Sequence, residues 1–320
     1  MPKQTGRLRY SGRSKIGDSM KRMNLLFIGG RQSGKTTLAA RAFNEAFSNV
    51  PDWMNLKFSL NSETVPGALA GNFQALEDRV PPGPMHGPDF STVCLQARKK
   101  RVFWFLILVE MFRWLFLRKP MTEIGGVMLQ ASEVSVENPA LGEWLLGNAA
   151  GKMPLGVVLT VDPFAVGKTC ESRHAPDVAA VVERLVERFE QIYVGNPEKR
   201  LPVSVAVVVN KAEKFPQFRT NSLRYVDQAT LRASRNALGD ADGMLADSFL
   251  LNEILEKQSS EIRELMDQYD GNFVNILQNE FQSVRFFWSG YHEERGKTNF
   301  CRMTSPLLPI LWLLGEQMEF

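Results

Sequence analysis

The sequence predicts an α/β fold, a mostly parallel sheet flanked by helices. Three observations predict it. Short apolar runs such as "NLLFIGG", "GVVLTVD" and "VSVAVVVN" are dense in branched aliphatic residues and stop at a glycine or a polar residue. These runs do not alternate, so they fit central strands covered on both faces. Between the last two lies "APDVAAVVERLVERFEQIYV", apolar at helical spacing. Strands taking turns with helices imply a parallel sheet, because parallel neighbours need a crossover connection.

The elements follow in order. "NLLFIGG" reads as a buried strand and "KTTLAARAFNEAF" as the helix after it. "LKFSL" is a further strand, "VPGALAGNFQALEDR" turns helical at its end, and "VPPGPMHGPDFST" is a loop punctuated by proline and glycine. "VMLQASEVSVEN" alternates as a strand does. "ATLRASRNAL", "LADSFLLNEILEKQSSEIRELMDQY" and "GNFVNILQNEF" read as helices. "SVRFFWSG" is a last strand, and "SPLLPILWLLGEQ" a closing helix entered through a serine and a proline. No repeat is visible. One large domain over residues 23–320 is expected, with a helical insert at roughly 214–281.

Ahead of it, residues 1–22 read as a solvated basic arm: Lys3, Arg7, Arg9, Arg13, Lys15, Lys21 and Arg22 face only Asp18. The net charge of +3 does not call for nucleic acid, and 44% apolar with 23% charged residues is ordinary globular composition. The 3 cysteines, Cys94, Cys170 and Cys301, lie far apart, which fits a reducing cytoplasmic setting and argues against a zinc site or a disulfide framework. One run is unusual. From Val102 to Leu117 the chain is almost continuously apolar, between cationic flanks and with Glu110 and Arg113 inside it. It is shorter than the ~20 residues of a spanning helix. It reads as a buried helix or paired core strands, with peripheral membrane contact as the alternative.

The chemistry sits between the first strand and the first helix. Gly29, Gly30, Arg31, Gln32, Ser33, Gly34, Lys35 and Thr36 fit G-x-x-x-x-G-K-[ST] without a gap. Glycines let backbone N–H groups turn inward around phosphate oxygens, and the helix N-terminus adds partial positive charge. Lys35 can reach the terminal phosphates, the Thr36 hydroxyl can ligate Mg²⁺, and Thr37 continues the first turn. This reads as the phosphate-binding loop of a P-loop NTPase. A second "GKT" at Gly167 has Asp162 where the first glycine would stand, and reads as a surface turn.

The base is addressed by "VSVAVVVNKAE". A buried strand delivers Asn210, Lys211, Ala212 and Glu213 at its C-terminal end, where open α/β sheets bind ligands. This resembles the NKxD motif of P-loop GTPases, in which the amide contacts the guanine ring, the lysine stem packs over it, and the acid accepts from the ring N–H and the exocyclic amine. Glu213 stands in for the usual aspartate, one methylene longer. Ser289 and Gly290, ending "VRFFWSG", resemble the last guanine-side loop, which usually reads Ser-Ala.

The catalytic half is less regular. GTPases carry D-x-x-G after the third strand; the equivalent here is "VSVENPALGEWLL", with Glu137 or Asn138 at the aspartate position, Gly142 as the γ-phosphate sensor and Glu143 placed to orient water. "EIGG", residues 123–126, has the spacing without the aspartate. Thr92 is the candidate for the first switch and for Mg²⁺, with Thr64 second. Asp162 ends an apolar strand as the Mg²⁺ acid of ATPases does, and would hold Mg²⁺ in an ATPase if that strand adjoined the phosphate loop. In the GTPase order that strand comes fourth and its acid is structural, and the later NKAE favours the second reading.

In segment order over residues 24–316 the chain resembles the TRAFAC-type P-loop GTPases, and in layout the bacterial double-GTPase group associated with conflict and defence. The resemblance implies a GTP/GDP switch with Mg²⁺, slow hydrolysis, and a protein effector or second GTPase subunit, or a second copy of itself, as partner. The rivals are an ATP-hydrolysing P-loop enzyme and a nucleotide-binding assembly module without hydrolysis.

Overall fold

The computed structural model describes residues 21–30, 33–48, 56–60, 92–99, 126–135, 155–162, 178–193, 200–211, 243–289 and 306–318, with Leu141, Glu143 and Leu145. Its strands are β1 (Lys21–Gly29), β2 (Leu56–Leu60), β3 (Thr92–Lys99), β4 (Gly126–Ser135), β5 (Leu155–Val161), β6 (Leu201–Val209) and β7 (Phe281–Trp288). Its helices are α1 (Lys35–Ser48), α2 (Val178–Glu190), α3 (Gly243–Glu280) and α4 (Leu308–Met318). The strands form one 7-stranded sheet in the order β2-β3-β4-β1-β5-β6-β7. The pairs β4–β1, β1–β5, β5–β6 and β6–β7 are parallel, while β2 and β3 join antiparallel at one end. The mostly parallel α/β sheet is therefore as the apolar runs indicate. β1 begins at Lys21, so its first two residues come from the stretch expected to be arm.

Alternation along the central strands sorts their side chains into two apolar layers. Leu26, Ile28, Val157, Leu159, Val205 and Val207 face one layer, which α2 and the second half of α3 cover. Leu25, Phe27, Val158, Ala206 and Val208 face the other, covered by α1 and α4. Burial on both faces explains why β5 and β6 carry no exposed polar alternation. α2 is amphipathic in the ordinary way: Val178, Val181, Val182, Leu185, Val186 and Phe189 are buried, while Glu183, Arg184, Glu187 and Arg188 are exposed.

α3 is two helices run together. Asp270, at φ −153° and ψ 83°, breaks the helical path, and its carboxylate accepts the Phe273 N–H at 3.1 Å. That is an N-cap bonding the third residue of a new helix, and it falls between the two segments that the sequence separates at Tyr269 and Gly271. Before the break α3 crosses the rim of the sheet. Leu255 enters the α1/α4 layer and Ile262 the α2 layer, and between them the Ser259 hydroxyl accepts the Phe286 N–H of edge strand β7 at 2.9 Å.

Among the described residues, no helix is long and apolar enough to cross a membrane. The run at 102–117, the first basic residues, the segment at 65–79 read as helical at its end, and the helix read at 229–238 lie outside the described residues.

Candidate functional site

The sheet positions the site before any side chain is considered. From β1 the chain leads to β4 on one side, while β5, β6 and β7 add to the other, so the connections diverge between β1 and β5. Ligands of open α/β sheets bind at the carboxyl ends of strands at such a divergence. Gly29 and Gly30, Asp162, Asn210 and Ser289 all follow or end strands on that edge.

The Gly29–Thr36 loop is built so that backbone can come close. A side chain on Gly29 would collide with the Thr160 carbonyl and hydroxyl of β5, so only glycine lets the loop leave β1 at this spacing. Gly34 has φ +86°, a conformation L-residues rarely adopt, and a Cβ there would strike the Asn210 amide. From Lys35 the backbone is helical, with Leu38 N–H bonded to the Gly34 carbonyl at 2.9 Å. The first-turn N–H groups of a helix lack an intrahelical acceptor and carry the positive end of its dipole. No acid sits in the first turn of α1 to compete for them. The Lys35 ammonium folds back to donate to the Gly30 carbonyl at 2.8 Å, which holds a cation over the mouth of the loop.

Two neighbouring strands anchor this loop. The Thr160 hydroxyl of β5 donates to the Ile28 carbonyl at 3.1 Å and shares a hydrogen bond of 2.9 Å with the Ser33 hydroxyl, both groups buried. From the end of β6, the Asn210 amide donates to the Ser33 carbonyl at 3.0 Å and the Gly34 carbonyl at 3.3 Å. Asn210 is itself held by its N–H on the Val161 carbonyl at 2.8 Å. The residue expected at the base and the loop expected at the phosphates are thus in direct contact.

Asn210→Asp tests this tie. A carboxylate there would face two carbonyl oxygens with nothing to donate, and Asn210 is buried. The expected loss is about 1–3 kcal/mol of folding stability, the cost of an unmet buried polar group, read from the urea unfolding midpoint. An unchanged midpoint would show that the amide tie does not hold the loop.

No family model matches this chain, and no curated protein matches it. Among solved structures it is similar to the crystal structure of Sup35 complexed with GMPPNP, at 10% identity and a TM-score of 0.30, over 88% of this chain and 40% of that one. The chain thus spans under half of that structure's length.

The remaining candidates fall into three groups. Ser289 is buried at the end of β7, its N–H on the Val209 carbonyl at 2.8 Å, one strand beyond Asn210. Thr36 and Thr37 lie in the first turn of α1 and are partly exposed. Thr92 is the first residue of β3 rather than a loop residue, paired with Ser132 near the carboxyl end of β4. That is the correct edge, but two strands from β1, a lateral separation of roughly 10 Å. Glu143 is exposed on a helical turn whose Leu141 and Leu145 are fully buried in the α2 layer. Arg31, Gln32, Gly142, Glu213 and Gly290 lie outside the described residues.

Sequence reasoning missed one participant, Thr160, and one contact, that of Lys211 with Asp162. Thr160 is the lone hydroxyl in the otherwise aliphatic "LGVVLTV", the one signal that could have singled it out. Lys211 takes φ 55°, left-handed for a residue with a side chain, and its ammonium binds the Asp162 carboxylate at 2.6 Å. Among the described residues no group of three or more His, Cys, Asp or Glu side chains could hold a metal.

Proposed function

We propose that this chain is a guanine-nucleotide-binding switch of the P-loop GTPase type. The observation that carries it is the bond from Asn210 to Ser33 and Gly34, which joins the NKAE turn to the loop in front of α1. In this reading Gly29 to Gly34 cradle the phosphates, the first-turn N–H groups of α1 and Lys35 meet their charge, and Asn210, Lys211, Glu213, Ser289 and Gly290 face the guanine. A glycine loop ending in a lysine and a hydroxyl fits a magnesium–triphosphate, and Thr36 would hold the ion, with Thr92 as the second candidate. Bound magnesium neutralises charge on the phosphates during transfer. Glu143 would orient water from the turn after β4, and the imperfect D-x-x-G equivalent around Glu137, Asn138 and Gly142 argues for slow hydrolysis.

In the same reading residues 23–320 form one domain with a helical insert after the NKAE turn, preceded by the basic arm. A cytoplasmic protein effector, a second GTPase subunit or another copy of the chain would read the switch, as the layout of the double-GTPase group suggests.

The test is competition between GTP and ATP. Glu213 is the acceptor for the two-donor edge that guanine has and adenine lacks. Glu213→Ala should weaken GTP binding by about 1–3 kcal/mol and leave ATP binding where it was. A wild-type preference for ATP would replace this reading with that of an ATP-using enzyme.

A further inference from the structure

Asp162 is the acid at the divergence between β1 and β5, where a magnesium-holding carboxylate would stand in an ATP-using protein. Its carboxylate is engaged otherwise. It accepts from the Lys211 ammonium at 2.6 Å, with Asp162 18% and Lys211 33% exposed. Lys211 meanwhile holds a left-handed backbone at φ 55°, one residue after Asn210. A residue with a Cβ is strained there by ordinary sterics, so something must hold the turn. Asn210 fixes it from the loop side through Ser33 and Gly34. Asp162 is the fixed point on the other side, because it follows β5 directly and β5 pairs with β6 in register through Val161 and Val209. The ion pair thus joins the ends of two adjacent central strands, and its lysine is the residue whose stem would lie along the base.

We propose that Asp162 is a positioning residue for base selection: by holding the Lys211 ammonium it keeps the NKAE turn in its strained form, the form that presents the guanine-reading acid of the proposed function. The proposal rests on the base-side reading of that turn. It assigns Asp162 no contact with magnesium or phosphate. Loss of the pair should therefore affect guanine and leave the phosphate end untouched.

The experiment measures binding of GDP, ADP and a non-hydrolysable GTP analogue across a Mg²⁺ titration, for wild type, Asp162→Asn, Lys211→Met and the double variant, with melting curves alongside. Asp162→Asn should weaken GDP about three- to tenfold, in line with the loss of a partly buried ion pair. ADP affinity and the Mg²⁺ midpoint should not move. Asp162→Glu should recover part of the loss, and the double variant should cost no more than Lys211→Met alone. A rise in the Mg²⁺ requirement with equal loss of GDP and ADP would overturn the proposal and make Asp162 a metal-side residue. A wild-type preference for GDP that Asp162→Asn leaves intact would overturn this proposal alone. A wild-type protein that binds ADP as well as GDP would overturn the base-side reading and this proposal with it.

Discussion

In the proposed nucleotide site, Lys35→Ala should lower the affinity for GTP and ATP alike, by roughly 10- to 100-fold. The ammonium stands at the head of α1 and donates to the Gly30 carbonyl across the loop. A triphosphate in the cradle offers better acceptors than one neutral carbonyl, and the flexible lysine stem lets the charge turn outward to them. Hydrogen bonds to charged groups contribute about 1.5–3 kcal/mol each, and about 1.4 kcal/mol is a factor of ten in affinity. The loss is independent of the base, which separates it from the effect at Glu213. Folding should change little, because Ser33 and Gly34 remain tied to Thr160 and Asn210. Calorimetric titration with a non-hydrolysable GTP analogue and its adenine counterpart decides it. Unaltered affinity for both would remove the loop from the site.

Phe189→Ala destabilises the fold by about 3–5 kcal/mol, the range for a large aromatic cut to alanine in a core. Phe189 is fully buried in the last turn of α2. Its ring meets Phe281 edge-on at 6.0 Å and lies tilted against Tyr193 at 6.3 Å. Phe281 is the first residue of β7, so the cavity would open where α2, the end of α3 and the edge strand converge. Urea unfolding of Phe189→Ala beside Glu187→Ala, an exposed neighbour on the same helix, gives the comparison. A shift no larger than that of Glu187→Ala would mean that this corner is not close-packed.

The central strands were readable because burial on both faces leaves an undiluted apolar run, and each run ends at the residue where the sheet stops. The turn from the first strand into the first helix was readable because an apolar run gives way to glycines and then to helix formers. The break at Asp270 was readable too, since an aspartate before a glycine interrupts the helical pattern. What escaped were relations between distant residues. Thr160 and Ser33 are 127 positions apart, and Lys211 and Asp162 are 49 apart. No local pattern announces that two such polar groups will meet, because the register between strands decides it. The left-handed backbone of Lys211 escaped for a related reason: a turn held by tertiary contacts need not contain glycine. Thr92 was read at the end of a loop and is the first residue of β3, because its pairing with Ser132 extends the strand to the threonine itself.

The passage of α3 over the rim of β7 bears on how the protein behaves in a crowded solution. An edge strand offers a row of unsatisfied amide and carbonyl groups, a template on which another chain can stack. Here the Phe286 amide is already taken by Ser259, and the helix that supplies that serine is fastened on both sides of the sheet by Leu255 and Ile262. Strand-on-strand association through β7 would require peeling that helix away and exposing both apolar layers at once. Pairing through this edge is thus linked to loosening of the fold itself, and conditions that leave α3 seated should keep β7 from taking on another strand.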